Sequence, residues 1–533
     1  MTQQQAIPPA VSRRGFLRAV GLSGGAGAMF ATMGALGLAP TAAAAAPAYR
    51  APSPGDFHLT GRGRASVVVL GGGVAGLATA YELGKAGYDC TVLEARDIVG
   101  GRNFTVRGGT TETDLDGRTQ RARFGEGVYL NAGPGRLAQW MVTLDYCREL
   151  GVPIEVFTNA NADALIYNEA AGMTAPVRFR TAKADVFGYV SELLAKATNQ
   201  GALDAALTTA DKERLITFLR SYGSLGSTLA YTGGSRRGFA SYPGAGNDEG
   251  TPLAGPAALS DVFASNVGRY FSFELGYDQA MLMFQPVGGM DQIPKALAKA
   301  VGHHRIKTGA EVTDVTDSGS QVAVTYRQGK ATRVLRADFC VATLPPHLMA
   351  RVPHNLGTAV TAALAEFGVT AAGKIGLEYK RRWWEEDDRI YGGITETDLD
   401  LQHIWYPSYG FHGRRGLVVG YYNTGASART YSALPHAERE ARALAQGVKI
   451  HGEKYRSELL SSWSQAWDRT KYLEGAWTSP RYTSAGYQLL LQPSGRVYFA
   501  GDWLSHEVAW QHGAFVSARS AVTAIHQRVL ATP

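Results

Sequence analysis

An α/β fold follows from three features of this 533-residue sequence. A short β-branched run, Val67 to Leu70, leads into a glycine-rich turn. That turn opens a helical stretch ending near Ala86, and a second apolar run closes on the acid Glu94. Strand patterns then return far downstream, at 306–315, 321–326, 339–342 and 497–502. A parallel sheet begun near residue 65 and completed by a C-terminal strand requires another region inserted between its halves.

Within the first unit, Gly71, Gly73 and Gly76 have the G-x-G-x-x-G spacing. The first glycine permits the tight turn and the second lets a pyrophosphate approach the backbone. The third lets the helix lie close on the sheet, with the N–H groups near Val74 and Ala75 facing the phosphates. Glu94 is then placed to accept hydrogen bonds from the ribose hydroxyls. Strand, turn, helix and acid in register predict a dinucleotide site and redox chemistry.

The strand begins late because the first 46 residues read as an export signal. Ser12-Arg13-Arg14-Gly15-Phe16-Leu17 is a twin-arginine pattern, followed by a Gly- and Ala-rich apolar stretch and small residues at 42–46. That stretch is too diluted with Gly, Ser and Thr to make a stable membrane anchor. The expectation is an exported, extracytoplasmic protein, with a linker at 47–62. Removing the signal takes three arginines from the formal charge of +7, and no polybasic arm remains, which argues against nucleic acid. Three scattered cysteines make neither a disulfide framework nor a metal site.

The chain divides by pattern into a nucleotide-binding part at 63–150 and a helical or substrate-binding part at 151–280. The nucleotide unit returns at 281–345, a second substrate-binding part covers 346–480, and the nucleotide unit closes at 481–533. Residues 181–231 carry helical apolar spacing, and the Gly/Pro/Ser-rich segment 233–256 is long enough to be a lid.

The fingerprint runs into Gly100-Gly101-Arg102. Further motifs follow at Asn131 to Arg136, Val287 to Pro294, Gly373-Lys374-Ile375 before Trp383-Trp384-Glu385-Glu386, and Trp510 to Ala514. In these motifs the chain resembles the FAD-dependent amine oxidase superfamily, and within it the L-amino acid oxidases of the venom type. The resemblance implies a Rossmann-like FAD-binding domain with an interleaved α+β substrate-binding domain and a helical insert. It also implies FAD contacts from Gly71, Gly73, Val74, Ala75, Gly76, Glu94, Ala95, Arg96, Gly101, Arg102, Val312, Gly501, Asp502, Trp510 and Ala514. Ala476 stands where some relatives carry the cysteine that attaches the flavin, so noncovalent FAD is expected.

The resemblance also implies roles at the reaction centre. Arg136 holds a substrate carboxylate, for which a guanidinium fork is suited. Tyr421 offers a phenol to the same carboxylate, with Tyr422 beside it leaving the register open. Lys374 holds a water against the flavin. Trp510 and Trp477 are the aromatic walls, and Trp467 either adds apolar surface or packs in the core. His512 reads as solvated or packed rather than touching the flavin edge. No histidine lies between His58 and His303, so no dedicated base for the substrate amine is expected.

The activity implied is oxidative deamination of an L-amino acid, aromatic or large and apolar, by hydride transfer to flavin N5 with O2 as acceptor. The expected assembly is a homodimer. Amine or polyamine oxidation, amino acid 2-monooxygenation and a noncatalytic flavoprotein are the alternatives.

Overall fold

Val67, Val69 and their neighbours Val68 and Leu70 point alternately to two cores on opposite faces of one parallel sheet. The computed structural model describes residues 57, 59–279 and 282–531. The export signal therefore lies outside the described residues, as does most of the linker. The five strands stand in the order Ile306–Lys307, Asp89–Leu93, Ser66–Leu70, Phe339–Ala342 and Val497–Phe499, every pairing parallel. Because those strands come from widely separated stretches, the rest of the chain is carried outward between them.

Leu70 is followed by Gly71 at φ +103°, a conformation open to glycine, and the helix Val74–Lys85 starts three residues later. A Cβ at Gly76 would sit 2.0 Å from the Gly71 carbonyl, so the third glycine serves the close packing of helix on sheet. The expected single strand at 306–315 is two. Gly309, at φ +63°, turns the chain after Lys307, and Ala310–Asp317 joins a separate antiparallel sheet with Val322–Gln328 and Ala331–Ala337.

A seven-stranded, mostly antiparallel sheet forms the other layer. Its order is Val177–Arg178, Leu165–Tyr167, Ile394–Thr397, His403–Trp405, Gly416–Thr424, Ala372–Tyr379 and Leu459–Ala466. One face packs a core that contains Ile375, Leu377, Val418 and Tyr421 over Trp383 and Trp384. The Trp-Trp-Glu-Glu motif is therefore structural, its Glu385 held in a buried ion pair with Arg382 at 2.5 Å. The opposite face carries Ile394, Trp405, Val419 and Tyr422.

The helical insert is two helices, Phe179–Asn199 and Thr209–Gly223. Small residues allow their approach: a Cβ at Gly223 would lie 2.3 Å from that of Ser191. Thr208 and Asp211 close a capping box at the second helix. The segment 233–256 packs against the first helix of the insert. Arg237 pins it to the first helix through a buried pair with Asp185 at 2.6 Å, and Thr181 donates to the Arg237 carbonyl at 2.7 Å. None of its residues reaches the principal cavity.

Candidate functional site

A cavity of about 870 Å³ runs from the carboxyl ends of the parallel strands to the second face of the seven-stranded sheet. This is where open α/β sheets bind ligands. At its nucleotide end it is lined by Gly71, Gly73, Val74, Ala75, Glu94, Ala95 and Arg96, then by Gly101, Arg102 and Val312. Gly76 does not line it, for the packing reason given above.

The fit to a dinucleotide is physical. A Cβ at Gly73 would meet nothing within 4 Å, so the backbone there borders open space. The first-turn amides of the following helix have no intrahelical acceptor and carry the positive end of its dipole. Glu94 is buried and oriented by two amides, Gly72 N–H to Oε2 at 2.7 Å and Arg96 N–H to Oε1 at 2.8 Å. Burial pushes its carboxyl above the usual range while those amides oppose the shift, and its remaining lone pairs suit ribose hydroxyls.

Asp502 and Arg102 both line the middle of the cavity and form an ion pair with each other. Arg102 also donates to the Ala476 carbonyl at 2.8 Å, and Asp502 accepts from the Ala509 amide at 2.9 Å. Asp502 is thus engaged by protein groups and helps hold the loop before the helix Gln511–Ala531. Trp510, Gln511 and Ala514 bring the start of that helix to the cavity wall, as Gly501 does for the preceding strand. His512 is packed: its Nδ1 accepts from the Val142 amide at 3.1 Å, and its ring stands edge-on to Trp140. Burial pushes its pKa down to about 4.

The other end of the cavity gathers Arg136, Lys374, Trp405, Tyr422, Trp467, Trp477 and Trp510. The run Ala132 to Gly135 makes this possible. A Cβ at Gly133 would collide with the Arg102 carbonyl at 1.8 Å, and one at Gly135 would lie 2.9 Å from the Trp405 ring. Trp467 is held by its indole N–H to the Ala132 carbonyl at 3.0 Å.

Arg136 is only 8% exposed. It donates to Asn159 Oδ1 at 2.5 Å, and its guanidinium lies over the rings of Trp405 (4.7 Å) and Phe273 (5.3 Å). Among the described residues it forms no ion pair with a carboxylate. Burial pulls its pKa down to about 10, which leaves it a cation at neutral pH. Lys374, 3% exposed, donates to the carbonyls of Gly133 and Asn131 and lies 4.7 Å from the Tyr422 ring and 4.9 Å from that of Trp405. Burial, assisted by the Arg136 charge, brings its pKa down to about 7. Behind Lys374 and Trp405 lies a second cavity of about 40 Å³, room for a few waters.

Tyr421 requires a correction. It is 1% exposed on the opposite face of the sheet, edge-on to Tyr431, and does not border the cavity. Tyr422 does. Pairing with the adjacent strand sets Tyr422 opposite Lys374 and Tyr421 opposite Ile375, and a bulge at Gly420 fixes that phase. A Cβ at Gly420 would lie 2.3 Å from Leu377, so the bulge needs glycine. Removing the Tyr422 hydroxyl (Y422F) is expected to raise KM for an anionic substrate held at Arg136 roughly tenfold, about one charge-assisted hydrogen bond. Y421F should leave KM unchanged. Steady-state kinetics on both variants checks this.

Trp405, Asn159 and Gln279 were not singled out by sequence. Trp405 sits on a three-residue strand whose alternation is too short to read, and Asn159 and Gln279 lie in loops. Asn159 bridges from Arg136 to the Gln279 carbonyl at 2.9 Å, and the buried Trp405 Nε1 and Gln279 Oε1 find no partner among the described residues, leaving polar atoms for a ligand. The Val287-to-Pro294 motif is structural: Asp291 pairs with Arg107 at 2.7 Å, and a Cβ at Gly289 would strike Thr105.

A parallel sheet with a glycine-rich turn and a buried acid, opening into an aromatic and cationic chamber, defines a dinucleotide-binding protein with an adjoining ligand chamber. Residues 74–526 match the family described as flavin containing amine oxidoreductase, and the chain belongs to it. It is 26% identical over 481 residues to an L-amino-acid oxidase of Vipera ammodytes ammodytes, spanning 86% of this chain and 92% of that protein. Identity to the L-amino-acid oxidase of Pseudechis australis is 27% over 476 residues, with 85% of each covered. In fold it is similar to cyclohexylamine oxidase from Brevibacterium oxydans IH-35A (TM-score 0.59, 18% identity, 87% of this chain and 99% of that one). It is also similar to putrescine oxidase bound to putrescine (TM-score 0.57, 19% identity, 87% and 99%).

Proposed function

We propose that this protein is an exported, FAD-dependent L-amino acid oxidase acting on aromatic or large apolar substrates, with the flavin held noncovalently. The carrying observation is Arg136, a desolvated cation with no carboxylate partner among the described residues, at the end of a flavin-sized cavity. A buried charge in that state is costly, and a substrate carboxylate would neutralise it. A simple amine offers nothing to such a group. Ala476, at a position where a thiol would be needed for attachment, supports noncovalent binding. The twin-arginine pattern supports export of the folded holoenzyme.

When bound, FAD supplies the hydride acceptor for the substrate α-carbon and the route by which two electrons reach oxygen as hydrogen peroxide. The chain supplies the rest. Gly71 to Gly76 and Glu94 hold the nucleotide end. Arg136 and Tyr422 fix the carboxylate, so that a single bond at the α-carbon is aimed. Trp467, Trp477 and Trp510 exclude water around the side chain and favour the neutral amine over ammonium. Lys374 holds a proton between backbone carbonyls beside the small water-sized cavity. Water then converts the imine to a 2-oxo acid and ammonia.

Because the amine must be neutral and, among the described residues, no histidine or carboxylate joins Arg136, Lys374 and the tryptophans at that end of the cavity, kcat/KM should rise toward alkaline pH. A pH profile with a sharp acidic optimum would count against this. Anaerobic reduction of the bound flavin by the twenty L-amino acids, their D-enantiomers and common amines tests the assignment. Bleaching by large L-amino acids and not by the matching amines is expected.

A further inference from the structure

Arg136 lines the cavity and takes one hydrogen-bond acceptor among the described residues. Its Nη1 donates to Asn159 Oδ1 at 2.5 Å, while the rings of Trp405 and Phe273 lie against the guanidinium. Nε and Nη2 find no acceptor among the described residues, which leaves two adjacent donors of the fork for a bidentate ligand.

Asn159 is itself locked. It is 7% exposed, and its Nδ2 donates to the Gln279 carbonyl at 2.9 Å. That second bond fixes which end of the amide is the acceptor, because the reverse orientation would set N–H groups against the guanidinium and oxygen against oxygen. The main chain just before it is held from two sides. Thr158 N–H donates to Ser408 Oγ and Gly393 N–H donates to the Thr158 carbonyl, each at 2.9 Å. Neutrality of the acceptor has a consequence for the ligand. Aspartate has the same shape as asparagine, and at this position it would close a buried ion pair with Arg136 and compensate its charge inside the protein. Asparagine orients the fork and leaves the cation uncompensated.

Resting on the amino acid reading above, we infer that Asn159 is a positioning residue that sets the class of substrate. Its neutral oxygen aims the free donors of Arg136 and keeps the charge open to a substrate carboxylate, so selection of amino acids over the corresponding amines depends on the side chain at 159 being uncharged. Asn159 does not border the cavity and takes no part in the redox step.

Stopped-flow anaerobic reduction tests this in wild type, Asn159→Asp and Asn159→Leu, resolving Kd and the limiting rate. The substrates are the L-amino acid that reduces the flavin best and the amine it gives on decarboxylation. N159D is expected to raise the Kd for the amino acid about a hundredfold with the limiting rate within about threefold, and to make the amine a better substrate. N159L keeps the charge and loses the orienting acceptor. There the Kd for the amino acid should rise about tenfold, with the amine within about threefold of wild type. Should N159D lose its flavin spectrum, N159L decides alone by the same tenfold rise at constant limiting rate. An amino-acid-to-amine ratio in N159D within about threefold of wild type, equal losses in the two variants, or an unchanged Kd in N159L overturns the inference while leaving the amino acid assignment standing. Wild-type flavin reduced by amines and by no amino acid overturns both.

Discussion

Replacing Arg136 with methionine is expected to lower kcat/KM for L-amino acids by about three orders of magnitude, within the few kcal/mol range for removing one partner of a buried charge pair. The stem of methionine keeps contact with Trp405 and Phe273, so the loss reports charge and not packing. The corresponding amine, lacking a carboxylate, should gain in the variant, because a desolvated cation no longer faces its own charge. R136K separates charge from shape: a point charge cannot reproduce the planar fork, and part of the loss should persist. Stopped-flow reduction with an amino acid and its decarboxylated amine, each at matched pH, gives both numbers.

The second large effect concerns Lys374. Reduction of oxygen develops negative charge, and a cation held in a dry pocket stabilises it; removing one such preorganised group typically costs about 10²–10³-fold. K374M should therefore slow the oxygen-dependent half of turnover by that order while changing anaerobic reduction less than about tenfold. The pH dependence has a defined sign. Burial brings the Lys374 pKa down to about 7, so its charge is present below that value and lost above it. The oxygen-dependent rate of wild type should fall as pH rises through 7, and that of K374M should be flat across the same window. Measuring the two half-reactions separately keeps this fall distinct from the alkaline rise expected of the amine step.

The nucleotide half of the site was legible because its signals are local. Gly71, Gly73 and Glu94 act through turn conformation and strand ends, which sequence spacing reports directly. Arg136 and Lys374 came from motifs whose neighbours, Gly133, Gly135 and the alternation of 372–379, also act locally. Tyr421 was misplaced because the choice between two adjacent tyrosines depends on a bulge set by a neighbouring strand, and one residue of phase exchanges the faces. Trp405 was invisible for a related reason. Its strand is three residues long, and only the pairing across the sheet turns it to the cavity side with Tyr422. The 233–256 segment has the composition of a lid, yet a single buried ion pair, Arg237 with Asp185, decides where it lies.

The most direct test of the central claim is anaerobic flavin reduction of the wild-type holoenzyme by L-phenylalanine, L-phenylalanine amide and 2-phenylethylamine. These share an aromatic side chain and differ in the group offered to Arg136. If a carboxylate is anchored there, phenylalanine should reduce the flavin at least a hundredfold more efficiently than either of the others, and the advantage should vanish in R136M. Equal efficiency for all three in wild type would contradict the account.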